Sequence, residues 1–153
     1  MRELPSVLLS LLLLAFIGCE NKKNVPHPVG CNAASSIEGT WRLDAFQNLN
    51  DGTREPDPNP KGRGVVLTFK EDSTSIGFQG HTAANAVGGR YRKAGSCDLE
   101  NGSFGGSKVG EPTKWDGKVW TAMANAEAYG LTKKNLFLYF NAKSEVMIFS
   151  KVR

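Results

Sequence analysis

The chain has 153 residues, 19 Lys+Arg against 15 Asp+Glu for a formal charge of +4, and only 3 Cys and 2 His. That length holds one domain of about 100–200 residues, which excludes a large multi-substrate enzyme, and the few Cys and His leave little material for a metal centre. Hydrophobic residues at 40% and charged residues at 22% are enough to bury a core, and so mild a positive charge calls for no nucleic-acid partner.

In chain order, residues 1–19 read MRELPSVLLSLLLLAFIGC, with Arg2 ahead of an apolar run from Leu4 to Ile17. The run is shorter than the roughly 20 residues a membrane-crossing helix needs, so its length and position predict a signal peptide over residues 1–18. Phe16-Ile17-Gly18-Cys19 resembles the lipobox of bacterial lipoproteins, with Phe16 in place of the usual Leu. The resemblance implies removal of residues 1–18 and lipidation of Cys19, palmitate being a usual acyl chain. It also implies a partner, the membrane, reached through the N-terminal lipid. The expected location is the bacterial cell envelope, at the outer membrane or cell surface in preference to the inner membrane. A plain secretory signal that contains a Cys is the alternative.

Residues 20–36 are polar and carry two Pro without periodicity, so 19–36 reads as the lipidated Cys and a tether. With Cys19 used as an anchor, Cys31 and Cys97 remain. Two thiols in an oxidising envelope are expected to pair, the alternative being two free thiols, since spacing alone does not place them within bridging distance. His27, between two prolines, reads as a solvated linker residue.

The folded domain is expected over residues 37–153. Its first strand is predicted over Ile37–Gln47, with Trp41, Leu43 and Ala45 alternating on one face. A long exposed loop follows from Asn48 to Gly64, and its Glu55-Pro56-Asp57-Pro58-Asn59-Pro60 stretch reads as a stiff surface loop or recognition lip. Val65–Phe69 is the next strand, Lys70-Glu71-Asp72-Ser73 a turn, and a further strand runs through Ile76 and Phe78. Gly80–Gly89 reads as small and flexible, Arg90–Lys93 and Cys97–Phe104 as strands, and Gly105, Gly106 and Gly110 as a glycine-rich corner. One helix is predicted from Thr113, with Thr113 and Asp116 as a capping box. Trp115, Val119, Ala122, Met123 and Ala126 form one core-facing stripe on it. Strands over Tyr129–Thr132, Leu136–Phe140 and Val146–Val152 end the chain, several of them apolar on both faces.

Gly39-Thr40-Trp41-Arg42-Leu43, Val66-Leu67-Thr68-Phe69, Gly80-His81-Thr82-Ala83-Ala84-Asn85 running into Gly89-Arg90-Tyr91, the helix from Thr113, Asn135-Leu136-Phe137-Leu138 and Glu145-Val146-Met147-Ile148-Phe149 together resemble the META domain (HslJ-like) family. The resemblance covers residues 37–152, with Ala84-Asn85 where members usually have Cys-Asn. It implies an α+β fold, a strongly bent, barrel-like antiparallel sheet packed around one helix, in a small envelope protein linked to stress responses. It carries over no catalytic residue. A second resemblance lies in Gly39-Thr40-Trp41, similar to the Gly-x-Trp opening of lipocalin-like barrels.

No nucleophile elbow accompanies His81, Ser73 and Asp72, no metal-ligand spacing joins His81, His27, Cys31 and Cys97, and Gly105-Gly106-Ser107-Lys108 lacks the end of a phosphate loop. The expectation is a non-enzymatic module without a cofactor, metal or nucleic-acid partner. It would bind an apolar small molecule or an envelope protein, with Trp41, Phe69, Phe78, Tyr91 and Trp120 lining its interior. The alternatives are a lipocalin-like carrier or an inhibitor of a periplasmic hydrolase. A basic lysozyme suits the last poorly, because like charges disfavour docking.

Overall fold

A computed structural model describes residues 36–153; the expected signal segment, Cys19, Cys31 and the tether up to residue 35 lie outside the described residues. The elements follow as β1 (Gly39–Asn48), β2 (Arg54–Pro56), β3 (Val66–Glu71), β4 (Ser75–His81), β5 (Ala86–Ala94), β6 (Asp98–Gly106), α1 (Lys114–Ala124), β7 (Ala128–Leu131), β8 (Asn135–Phe140) and β9 (Glu145–Lys151). Every pairing is antiparallel, and β1 joins β3 on one edge and β9 on the other, so β1 and β3–β9 close an eight-stranded barrel. The short β2 takes the half of the β1 edge that β3 leaves open, at Ala45–Gln47. The expected bent antiparallel sheet with a single helix is thus present among the described residues, closed on itself.

Simple alternation fails in β1 for a local reason. The register with β9 shifts between Leu43 and Ala45, which makes Asp44 the extra residue of a bulge. A bulge reverses the phase of in–out alternation beyond it. Trp41 and Leu43 therefore share the interior with Phe46, whereas Ala45 turns outward opposite Ile148.

The glycine-rich middle is strand rather than loop. β4 continues to His81, β5 starts at Ala86, and β6 runs through Gly105 and Gly106. A Cβ on Gly80 would run into the Val66 carbonyl, so this bend requires glycine for close approach of two backbones. On the inner face the Phe78 ring lies over Gly89 of the adjacent strand, filling the volume a side chain would take. Lys70 and Glu71 likewise belong to β3. The turn that follows is set by Asp72, whose Oδ1 accepts from the backbone N–H of Thr74 and Ser75 at 2.8 and 2.7 Å.

Helix α1 starts as expected, with Thr113 as N-cap accepting from the Asp116 N–H at 3.1 Å. The reciprocal bond runs from the Thr113 hydroxyl to Asp116 Oδ2 at 2.7 Å instead of from the cap backbone. Trp115, Val119, Ala122, Met123 and Ala126 are all buried. The helix lies between β6 and β7 in sequence, where the barrel seam is thinnest. Their register is Asp98 opposite Ala128, flanked by backbone bonds Leu99 N–H to Glu127 O and Tyr129 N–H to Cys97 O. Val119 and Met123 join the interior there, and Tyr91 donates to the Met123 carbonyl at 2.6 Å, tying β5 to the last turn of α1.

The two-faced apolar strands serve two clusters. Leu136, Leu138, Phe140, Met147 and Phe149 enter the barrel core. Tyr139, Val146 and Ile148 form an outer cluster with Ala128, against which Leu49 and Phe137 pack.

Candidate functional site

Four of the five residues expected to line the interior, Trp41, Phe69, Phe78 and Tyr91, are core members, and the last three pack ring on ring. Phe69 and Phe78 lie 5.6 Å apart between ring centroids, and Phe78 and Tyr91 5.0 Å. Phe78 also stacks on Phe104 at 6.0 Å, and Phe104 meets Trp120 edge-on at 5.0 Å. Trp41 is 2% exposed, and its indole N–H donates to the Ile37 carbonyl at 2.9 Å. Burial pushes the Tyr91 phenol well above its ordinary range, so it stays a neutral donor to the helix. Trp120 is the fifth and is only partly buried, at the edge of this chain of rings.

Trp120 leads to a polar cluster that the sequence reading passed over. Its indole N–H donates to Glu111 Oε1 at 2.9 Å. The same oxygen accepts from the Thr82 hydroxyl at 2.5 Å and the Asn85 amide at 2.6 Å, and Oε2 accepts from the Ala84 N–H at 3.2 Å. Asn85 is fully buried. Its Nδ2 also reaches the Val109 carbonyl, and its Oδ1 accepts from the Val109 N–H and the Ser107 hydroxyl. Burial alone pushes the Glu111 carboxyl up; the four hydrogen bonds outweigh it and hold the group below the usual carboxylate range. With both oxygens engaged, Glu111 locks the β4–β5 turn to the segment before α1 rather than serving as a free base. The sequence signal was Thr82-x-x-Asn85, a hydroxyl and an amide closing a turn, but the distant Glu111 partner carries none.

His81 sits beside this turn at the end of β4, its Nδ1 3.3 Å from the Gly64 carbonyl and 3.2 Å from that of Thr82. It is held by backbone carbonyls at this turn. The Glu55–Pro60 loop is anchored: Arg42 pairs with Asp57 Oδ2 at 3.0 Å, the Trp115 indole donates to the Glu55 carbonyl at 3.1 Å, and Lys118 reaches Glu55 and Glu145. Cys97, next to the thin seam, is disulfide-bonded. Cys19 and Cys31 lie outside the described residues, so which of them bonds to Cys97 stays with the proposals below. No group of three or more His, Cys, Asp and Glu is placed to hold a metal ion among the described residues. None of their helices is long and apolar enough to cross a membrane.

The open space lies on the outside of the sheet. A cleft of about 330 Å³ opens over β3, β4 and β5, with Thr68, Lys70, Gly77, Gln79 and Arg90 along it. A neighbouring cleft of about 300 Å³ shares Arg90 and adds Thr74, Ser75, Arg92 and Ser103. A larger one, about 630 Å³, follows the exposed flank of α1 beside Lys118, Phe140 and Glu145.

No family model and no curated protein matches the chain. Among solved structures it is similar to a protein from Burkholderia xenovorans determined by NMR. That likeness has a TM-score of 0.57 at 16% identity and covers 82% of this chain and 97% of that one. A DUF4847 family protein from Bacteroides vulgatus ATCC 8482 aligns with a TM-score of 0.49 at 19% identity, over 74% of this chain and 92% of its own. The first likeness is one of fold.

Proposed function

We propose that this chain is a non-enzymatic lipoprotein of the bacterial envelope, anchored through Cys19, whose META-like domain works by recognising a partner on its outer surface. The observation that carries this reading is the packing of Phe69, Phe78 and Tyr91 ring against ring inside the barrel, while open clefts lie outside it. Among the described residues, a single helix between the fifth and sixth barrel strands in chain order (β6 and β7), with the antiparallel β8–β9 pair closing the chain, supports the META-like assignment. The tether of residues 19–36 holds the domain off the membrane, and a Cys31–Cys97 disulfide fastens that tether to the thin seam. Acyl chains contribute about 0.8 kcal/mol per buried methylene, so multiple chains on Cys19 anchor the protein firmly.

Barrel closure favours a second reading, a lipocalin-like carrier with an apolar ligand inside. Native mass spectrometry of the purified full chain separates the two. Outer-surface recognition predicts the bare lipoprotein mass, and a co-purifying fatty acid or phospholipid supports the carrier instead. For the anchor, palmitate labelling is expected to vanish in Cys19→Ser, and persistence of the label refutes it. A peptide map under non-reducing conditions should join Cys31 to Cys97; a Cys19–Cys97 peptide would remove both the anchor and the proposed pair.

A further inference from the structure

We propose that the cleft over Gly77 binds the phosphate monoester group of a small soluble ligand. The strand register puts Lys70, Gly77, Arg90 and Ser103 in one row across β3, β4, β5 and β6, each directly opposite the next. Residues directly opposite in an antiparallel sheet share a face. The row is therefore two cations on the outer face with a glycine between them. Neighbouring strands lie about 4.8 Å apart, so the Lys70 and Arg90 backbones stand roughly 10 Å from each other. Both side chains are long enough to converge on the space between.

That space is open. A Cβ on Gly77 would find nothing nearer than the Lys70 carbonyl at 4.0 Å. The adjoining row contributes Thr68 and Gln79, paired across β3 and β4, which add a hydroxyl and an amide as neutral donors. At about 330 Å³ the cleft suits a compact ligand.

The electrostatics favour an anion despite two acids on the rim. Glu71 is paired with Lys93 at 3.3 Å. Asp72 turns its carboxylate onto its own turn, accepting from Thr74 and Ser75. Among the described residues Lys70 has no carboxylate partner, and neither does Arg90. Arg90 is oriented rather than neutralised. Its Nη1 donates to the Ser75 hydroxyl at 3.2 Å, and that hydroxyl donates onward to Asp72 Oδ2 at 2.8 Å. A fixed guanidinium offers a planar fork for an oxyanion, and the ammonium opposite supplies a second charge. A phosphate monoester, with up to two negative charges and three terminal oxygens, matches two cations better than a carboxylate does.

The assignment deepens the outer-surface reading and is independent of the lipid anchor, so palmitate labelling and phosphate binding fail separately. The test is an NMR titration of the isotope-labelled full chain with inorganic phosphate and, separately, with glycerol phosphate. Saturable amide shifts are expected at Gly77 and Arg90. Lys70→Gln and Arg90→Gln should each weaken binding by about tenfold, the loss of one charge-assisted contact. Gly77→Val fills the space without altering charge, and Val suits a strand better than Gly does. That variant should keep or raise the melting temperature and lose binding. No saturable shift, or unchanged affinity in Lys70→Gln and Arg90→Gln, overturns the site, and these two variants decide if Gly77→Val does not fold. Binding to vesicles containing phosphatidic acid, with no response to either soluble phosphate, overturns the small-ligand assignment.

Discussion

At the residue scale, Glu111 ties together segments far apart in the chain. Its four donors come from the β4–β5 turn and from α1, and two of the residues it holds, Thr82 and Asn85, are fully buried. Removing the carboxylate charge weakens charge-assisted bonds that are each worth about 1.5–3 kcal/mol. Glu111→Gln is therefore expected to destabilise the domain by about 1–3 kcal/mol at neutral pH in urea denaturation. The pH dependence has a definite sign. The folded group titrates below its ordinary value, so its stabilisation is present in full above the unfolded carboxyl value of about 4.3 and fades as pH falls through the folded one. Wild type and Glu111→Gln should thus converge in acid, and a stability gap that stays constant with pH would show that Glu111 holds these donors without its charge. Nothing local in the sequence marks this lock, because Glu111 lies 26 positions from Asn85 and the pairing exists only once the barrel brings the two loops together.

At the element scale, the helix and the closing strands were legible and the middle of the sheet was not. Thr113, Asp116 and the stripe Trp115, Val119, Ala122 and Met123 are local signals, set by the helical repeat alone, and the cap and buried face follow them, whereas the helix ends at Ala124 and Ala126 is buried beyond its Asn125 C-cap. Gly117 is the one residue that opposes the helix. A Cβ there meets nothing within 4 Å, so Gly117→Ala should add up to about 1 kcal/mol by helix propensity and reduced unfolded-state entropy. It should appear as a higher denaturation midpoint with an unchanged slope; an unchanged midpoint would mean that α1 is not at its propensity limit. The misread segments share a different cause. Strict alternation puts Ala45 inward because it ignores a bulge, and Asp44 carries no residue-type mark of one. Gly80–Gly89 reads as small and flexible because glycine usually breaks a strand, whereas here the bend of β4 against β3 and the Phe78 ring over Gly89 demand it. The Lys70–Gly77–Arg90 row was illegible for the same reason, since its members are neighbours through cross-strand register and not through sequence.

For the whole molecule, the decisive question is whether the barrel interior is a core or a container. Trp41, Phe69, Phe78 and Tyr91 are buried and Trp120 is partly so, yet composition alone does not separate a lining from a packed core. Geometry favours the core: Phe78 contacts Phe69, Tyr91 and Phe104 at once and is 5% exposed. Phe78→Ala should therefore leave a real void, because rings held on three sides by other strands cannot collapse into it. The expected loss is about 3–5 kcal/mol, a large fraction of a stability of about 5–15 kcal/mol, so the variant should unfold at clearly lower denaturant concentration. An apolar void of this kind stays dry and accepts a small aromatic molecule. Benzene should consequently raise the melting temperature of Phe78→Ala and leave that of the wild type unchanged, by binding linkage. If instead the wild type is stabilised by benzene or a short fatty acid and Phe78→Ala loses little stability, the interior already contains space, and the carrier reading replaces recognition on the outer surface.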